Sequence, residues 1–313
     1  MTSFIAIDLG GTNVRLGLVA EGAIVETTRF PTQAQAGPAD LLDRLAKGAL
    51  GIRELARRRG LEAAGLGVAS PGVLDRTAGV VRLSPNLPGW RDIPLAGELA
   101  RLTGLPVALE NDANLYALGE SRFGAGRGHG DLACLTLGTG VGGGLILGGR
   151  LVVGPLGCGG ELGHMVVEPR GRLCGCGAQG CLEAYASATG LEGALAEELS
   201  RGRATSLKPG DDPRAVALAA EAGDELAREL FVRAGLALGR AAANLVILAG
   251  LNLIILGGGL AASWPLMEPA ARRELSARLR IVDADRVRLV PGSLGDQAAL
   301  LGAAAWAAES LRQ

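Results

Sequence analysis

The chain has 313 residues, 48% of them hydrophobic, with 31 basic against 32 acidic side chains and a net charge of −1. That length suits two domains with substantial cores, and the near-neutral balance excludes the clustered basic footprint of a nucleic-acid binder. Lys47 and Lys208 are the only lysines and His129 and His164 the only histidines, which leaves no Gly-x-x-x-x-Gly-Lys-Ser/Thr loop and argues against a Ser-His-Asp hydrolase.

The N-terminus carries no charged region followed by an apolar signal run. The most apolar stretch, Leu245 to Leu256, is broken by Gly250 and Asn252 below membrane-spanning length. The expectation is a soluble, cytoplasmic protein with neither membrane nor nucleic-acid partner. Arg57-Arg58-Arg59 closes a helical pattern, where it complements the negative helix end.

In chain order, Phe4 to Ile7 is an apolar run of strand type that ends at Asp8. Leu9-Gly10-Gly11-Thr12-Asn13 follows, then Val14 to Val19, a turn at Glu21-Gly22, and a return strand from Ile24 to Phe30. The pattern is a β-meander with a glycine turn at its first corner, unlike a dinucleotide fold, whose glycines open a helix. Outward backbone amides at such a turn cradle phosphate. Asp8, at the strand end, is placed to hold Mg²⁺ through water.

Asp40 to Arg59 has apolar residues at helical spacing. Gly65 to Ala69 reads as a buried strand ending in the turn Ser70-Pro71-Gly72. Val80 to Leu83 is a short strand, followed by Ser84-Pro85-Asn86-Leu87-Pro88-Gly89-Trp90. A helix is expected from Ile93 to Thr103 and a strand from Pro106 to Leu109. Glu110-Asn111-Asp112-Ala113-Asn114 then opens a helix running to Phe123. A strand end that meets a helix start is where α/β folds put ligands. Asp112 in the first helical turn is kept as the carboxylate a general base needs. Asn and Asp are also good helix caps, and the two readings are compatible.

Strand, Gly-Thr turn and strand recur at Asp131 to Leu137, Gly138-Thr139-Gly140 and Leu145 to Leu147. Each copy would begin a domain. Downstream, helices are expected over Thr189 to Glu198, Asp212 to Gly223 and Glu225 to Leu248. A buried strand follows from Asn252 to Leu256, and Gly257-Gly258-Gly259 lets a base or phosphate approach the backbone. A strand over Val287 to Val290 and a helix over Asp296 to Leu311 end the chain.

Between these lies the densest chemistry. Cys174, Cys176 and Cys181 fall within eight residues, with Gly175, Gly177 and Gly180 between them, and His164 lies ten residues upstream. Glycine lets the backbone bring three thiolates to one point, and three cysteines plus a histidine form a closed, structural zinc set. Cys158 is a rival for the fourth position. Glu161 and Glu183 flank the metal, so the arrangement reads as a polar pocket built on a structural ion. A catalytic zinc needs an open position, which four protein ligands do not leave.

The run Gly-Glu-x-Gly-His followed by Cys-x-Cys-Gly-x-x-Gly-Cys-x-Glu resembles the signature of the ROK family (repressors, open reading frames, sugar kinases). The duplicated turns look like those of the actin, hexokinase and Hsp70 superfamily. The resemblance implies a two-domain α/β fold of the actin-like ATPase (ribonuclease H-like) type, with a cleft between the domains and a structural zinc loop. The smaller N-terminal domain would span residues 1–112, joined by the C-terminal helix at about 296–313, and the larger would span 113–295.

It also implies that His164 ligates zinc and touches a sugar, and that Glu161 and Glu183 bind sugar hydroxyls. Asn86 and Asn111 would complete that ring, with Gly72 allowing close approach, and Asp112 would be the base. The nucleotide would lie on Asp8, Gly10, Gly11, Thr12, Asn13, Gly138, Thr139 and Gly140, with adenosine near Gly258 and Gly259. Ser-Pro-Asn-Leu-Pro-Gly-Trp, Glu-Asn-Asp-Ala-Asn and the full zinc run are most similar to family members that phosphorylate glucose at O6 with ATP and Mg²⁺. Other hexoses, N-acylhexosamines and a polyphosphate donor stay open. The family's repressors carry a helix-turn-helix before the first turn, for which the seven residues preceding Asp8 leave no room. A homodimer or homotetramer is the family expectation.

Overall fold

The computed structural model describes residues 2–311. In chain order its strands and helices begin with β1 (Thr2–Leu9), β2 (Asn13–Ala20), β3 (Ala23–Pro31), α1 (Pro38–Arg58), β4 (Glu62–Ser70), β5 (Val73–Asp75), β6 (Val80–Leu83), β7 (Arg91–Ile93), α2 (Leu95–Thr103), β8 (Val107–Asn111) and α3 (Asp112–Phe123). They continue with β9 (Leu132–Leu137), β10 (Val141–Leu147), β11 (Arg150–Leu151), α4 (Glu183–Ala186), α5 (Ala188–Ser200), α6 (Pro213–Glu221), α7 (Glu225–Ala249), β12 (Leu253–Gly257), α8 (Trp264–Arg278), β13 (Arg288–Pro291) and α9 (Ala298–Ser310). The chain divides into two compact units. One comprises Met1–Gly128, Gly149–Gly159 and Ser293–Gln313, the other His129–Gly148 and Gly160–Gly292.

The first unit is built on a sheet of order β3-β2-β1-β4-β8. β1 pairs antiparallel with β2 and parallel with β4, so the chain crosses from β3 to β4 through α1. Successive strand residues face opposite sides, and β2 shows both. Leu16 packs toward Gly48 of α1, whereas Gly17 lies under Leu300 of α9. The α1 and α2 side is filled by large aliphatics such as Ile5, Ile7, Leu41, Leu45 and Leu99, all fully buried. The α9 side is lined by small residues, and Gly67 lies against the Ala303 carbonyl with no space for a Cβ. A helix of mostly alanines can therefore sit close on that face.

A small antiparallel sheet, β5-β6-β7, accompanies this unit. It takes Ile93 out of the helix expected from Ile93 to Thr103. The helix starts at Leu95 because Pro94 occupies its N-cap with φ −78 and ψ 63, outside helical values.

In the second unit β9 and β10 form a hairpin, and β12 lies parallel to both β9 and β13. β10 begins at Val141, earlier than the expected Leu145. Gly142, Gly143 and Gly144 belong to the strand, and a Cβ on Gly143 would meet Leu162 at 2.7 Å. Gly143 serves close packing rather than turning. α7 is long and apolar enough to cross a membrane by composition, but 67% of its apolar window is buried. It is the core helix against which α6 and α8 pack, with Phe231, Leu238 and Leu245 buried.

Candidate active site

The first unit brings a phosphate-type turn and two carboxylates together. β1 carries Asp8 to the sheet edge, where its register partner on β2 is Arg15. Arg15 Nη1 lies 3.7 Å from Asp8 Oδ2, and Nη2 lies 2.6 Å from Asp296 Oδ2. The Asp8 side chain is 17% exposed. Burial and the neighbouring charge of Asp112 raise its pKa to about 6, against the lowering effect of Arg15. The following turn is closed by Gly10 N–H donating to Asn13 C=O at 3.1 Å. A Cβ on Gly11 would lie 3.4 Å from Asn86 Cβ, which places Asn86 of the Ser84–Trp90 loop beside this turn.

β8 delivers Asn111 and Asp112 to the start of α3. Asn111 is the N-cap, its Oδ1 accepting from Ala113 N at 3.0 Å and Asn114 N at 3.2 Å. Asp112 Oδ1 also accepts from Ala113 N, at 2.9 Å. Gly72, at φ +101, has the Leu83 carbonyl against the position a Cβ would take, so its close approach is to the backbone that enters the Asn86 loop.

Sequence reasoning missed two residues here. Glu110 is fully buried. It accepts from Asn111 N at 2.7 Å, Asn114 Nδ2 at 3.0 Å and Arg76 Nη2 at 2.6 Å, and pairs with Arg76 Nε as well. Arg76 Nη1 also donates to the Gly157 carbonyl at 2.5 Å. The signal was a charged residue at a buried strand position, which demands a partner, but nothing local names one 34 residues away.

The second unit holds the thiol cluster. Ligand atoms of His164, Cys174, Cys176 and Cys181 all lie within 4.8 Å of one another, and Cys158 is not among them. Cys176 and Cys181 Sγ are 3.8 Å apart, as are Cys174 Sγ and His164 Nδ1. Zinc–sulfur bonds of about 2.3 Å at tetrahedral angles put sulfurs about 3.8 Å apart, so the spacing fits a tetrahedral ion. Anti-parallel bridges Val166–Cys181 and Leu173–Gln179 fold the loop around it. Burial pushes the Cys174 thiol up to about 12, while the Ala178 amide holds Cys176 below the usual thiol range.

Glu183 opens α4 beside this cluster. Its Oε2 accepts from Val141 N at 3.0 Å, at the foot of the second glycine turn, which Gly138 N closes onto Gly140 C=O at 2.9 Å. Glu161 caps the short 3-10 turn Leu162–His164 and His164 ends it, both exposed. A cavity of about 530 Å³ lies beside the Gly138-Thr139-Gly140 turn, lined by Gly138, Thr139, Gly259 and Leu260 and walled by α6 through Arg214, Leu218 and Glu221. Its apolar wall and volume suit a nucleoside. The α6 residues were not foreseen, because a surface helix of ordinary composition carries no ligand signal. Gly258, beside the cavity at φ +81, packs on the Leu137 backbone.

The ROK family model matches residues 4–310. A protein named glucokinase from Thermotoga maritima is 40% identical over 307 residues, covering 96% of this chain and 95% of that one. The crystal structure of a ROK hexokinase from Thermus thermophilus superposes with a TM-score of 0.85 at 36% identity, covering 99% of each chain. That of a ROK family glucokinase from Streptomyces griseus, in complex with glucose and AMPPNP, gives 0.80 at 34% identity, over 98% of this chain and 100% of that one. With the two glycine turns and the Cys3His cluster in place on an α/β fold of the actin-like kinase type, the chain belongs to the ROK family.

Proposed function

We propose that this chain transfers the γ-phosphoryl group of ATP to O6 of D-glucose. The observation that carries the reading is the sheet register, Asp8 beside Ala69 and Ser70 beside Asn111, which brings Asp8 and Asp112 to the same end of the sheet, at the strand that enters a phosphate-type turn. Phosphoryl transfer asks the protein for positioned phosphates, an offset for their charge and a base for the attacking hydroxyl. In this reading Asp112 takes the O6 proton as O6 attacks the γ-phosphorus. The bond from that phosphorus to the β–γ bridging oxygen breaks, and ADP leaves.

The amides of Gly11, Thr12 and Asn13 and of Thr139 and Gly140 would hold phosphates, with Gly10 and Gly138 shaping the turns that their own N–H groups close, and with adenosine in the cavity by Gly258, Gly259 and α6. Asp8 suits a water-mediated contact to Mg²⁺, which offsets phosphate charge when bound with the nucleotide. Glu161, His164, Glu183, Asn86 and Asn111 would read the sugar hydroxyls. Asn111 uses Oδ1 as the helix cap, so its side-chain NH₂ is the group left for a hydroxyl. The Cys3His cluster has no open ligand position and serves as a scaffold for a structural zinc. The full-length similarity to a structure holding glucose and AMPPNP supports both substrates. Cytoplasmic residence and a homodimer or homotetramer complete the reading.

ADP release measured over glucose, fructose, mannose, N-acetylglucosamine and N-acetylmannosamine, with ATP and polyphosphate as donors, tests it. The expected result is the highest kcat/KM for glucose with ATP. A pocket that hydrogen-bonds each hydroxyl penalises an isomer that leaves its groups unpaired. Preference for an acylated amino sugar would overturn the glucose assignment. Turnover of no sugar at all would overturn the kinase reading.

A further inference from the structure

The two glycine turns are fastened from behind in the same way. A turn that aims its N–H groups outward must point its carbonyls inward, and inward carbonyls need donors. In the first turn Thr32 supplies both. Its hydroxyl donates to the Gly10 carbonyl at 2.6 Å, and its amide donates to the Thr12 carbonyl at 2.8 Å. Thr32 is fully buried just beyond β3. It is itself held by Arg44 of α1, whose Nη1 and Nη2 donate to the carbonyls of Pro31 and Thr32 at 2.8 and 2.6 Å. Phe30 lies 5.5 Å beneath that guanidinium.

In the second turn the donors come from the start of α5. Ala188 N–H donates to the Gly138 carbonyl at 2.8 Å, the counterpart of the Thr32 hydroxyl on Gly10. Thr189 gives the Thr139 carbonyl both its amide, at 3.3 Å, and its hydroxyl, at 2.9 Å. Ser187, the N-cap of α5, holds the Thr189 hydroxyl at 3.0 Å and accepts from Gly190 N. Neither threonine belongs to a glycine motif.

We propose that Thr32 and Thr189 are positioning residues for the nucleotide phosphates, Thr32 locking the Gly10 and Thr12 carbonyls and Thr189 the Thr139 carbonyl, so that the amides of each turn keep facing the ligand. The proposal rests on the kinase reading, in which those turns hold phosphate. Losing a hydroxyl that satisfies an inward carbonyl frees that peptide to rotate, and a rotated peptide presents the wrong dipole to an anion. The loss falls first on nucleotide affinity, because the bonds removed are to the Gly10 and Thr139 carbonyls and not to a sugar-reading side chain.

The test measures MgATP and glucose affinity by titration calorimetry, with steady-state kinetics, for the full chain and for Thr32→Val, Thr32→Ser, Thr189→Val and the double valine variant. Thr32→Val is expected to weaken MgATP about tenfold, the loss of roughly one hydrogen bond to a buried acceptor, with glucose affinity within about twofold. Thr189→Val, whose backbone amide remains, is expected to cost about threefold, and the double variant about the product. Thr32→Ser should recover nucleotide affinity, since it restores the donor. Unchanged MgATP affinity in both valine variants, or equal losses for glucose and MgATP, would overturn the proposal. Thr189 is exposed, so its variant reads the effect even where Thr32→Val folds poorly. A wild-type chain that binds no MgATP overturns the kinase reading itself, a result distinct from wild-type binding with unaffected variants.

Discussion

Cys174 Sγ lies 3.2 Å from Glu183 Oε1. Without metal the thiol donates to that carboxylate oxygen. A metal-bound thiolate has no proton to give, so the oxygen is released for another donor, which in the proposed site is a sugar hydroxyl. The other oxygen stays on Val141 N. A metal bound at this cluster would thus set which partner Glu183 has. Removing it by chelation, or by Cys176→Ser, should lower bound zinc below one ion per chain and weaken glucose binding by about tenfold or more, read by metal analysis and calorimetry. Undiminished glucose affinity in metal-free protein would contradict the scaffold role.

Asp112→Asn keeps the oxygen that accepts from Ala113 N and leaves Asn111 as the cap of α3. Helix start and fold should therefore survive, with the melting temperature close to that of the parent. What is lost is the ability to accept a proton. Turnover should fall by about a hundredfold to ten-thousandfold, the range for removing a general base, while glucose affinity changes little. Near-normal kcat would remove Asp112 from the mechanism.

Much of this architecture is legible in the chain because its informative residues are close together in sequence. Cys174, Cys176, Cys181 and His164 announce a cluster by spacing, and the cluster forms. Gly138-Thr139-Gly140 between apolar runs announces a turn, and β9 and β10 flank it. What was not legible depends on distant partners. Thr32 looks like an ordinary strand-end threonine until Gly10 is seen behind it. Arg76 and Glu110 become a pair only once β5 and β8 are brought together. The β10 start was misread because glycine signals both a turn and close packing, and Gly143 serves the second.

The Arg76–Glu110 pair should behave as a buried charge pair. Glu110 is fully buried and Arg76 is 17% exposed. Arg76→Met leaves a carboxylate in the interior without its cation, a change that costs about 3–5 kcal/mol when one partner of a buried pair is removed. Denaturant unfolding should show a loss in that range. Adding Glu110→Gln removes the stranded charge, so the double variant should recover part of the loss even though a second native group has gone. A double variant less stable than Arg76→Met would mean that packing, not charge, dominates here.

Asp8 is expected to destabilise the unliganded fold above acid pH. Its folded-state pKa is raised from the ordinary 3.8 to about 6, first by burial and then by Asp112. Below pH 3.8 both folded and unfolded chains hold the proton. Between about pH 4 and pH 6 the unfolded chain releases it while the folded chain keeps it, so stability falls as pH rises through that window and stays reduced above it. The interval of about 2 pH units, at 1.36 kcal/mol each, sets a ceiling of about 3 kcal/mol, lowered by the partial exposure of the group. Asp8→Asn should therefore unfold at a higher temperature than the parent at pH 7.5 and at about the same temperature near pH 4, measured without nucleotide. Activity should move the opposite way, because the amide gives up the negative charge that suits a metal-bound water. An equal stability difference at both pH values would show that Asp8 contributes through packing, and would detach its raised pKa from any role in holding MgATP.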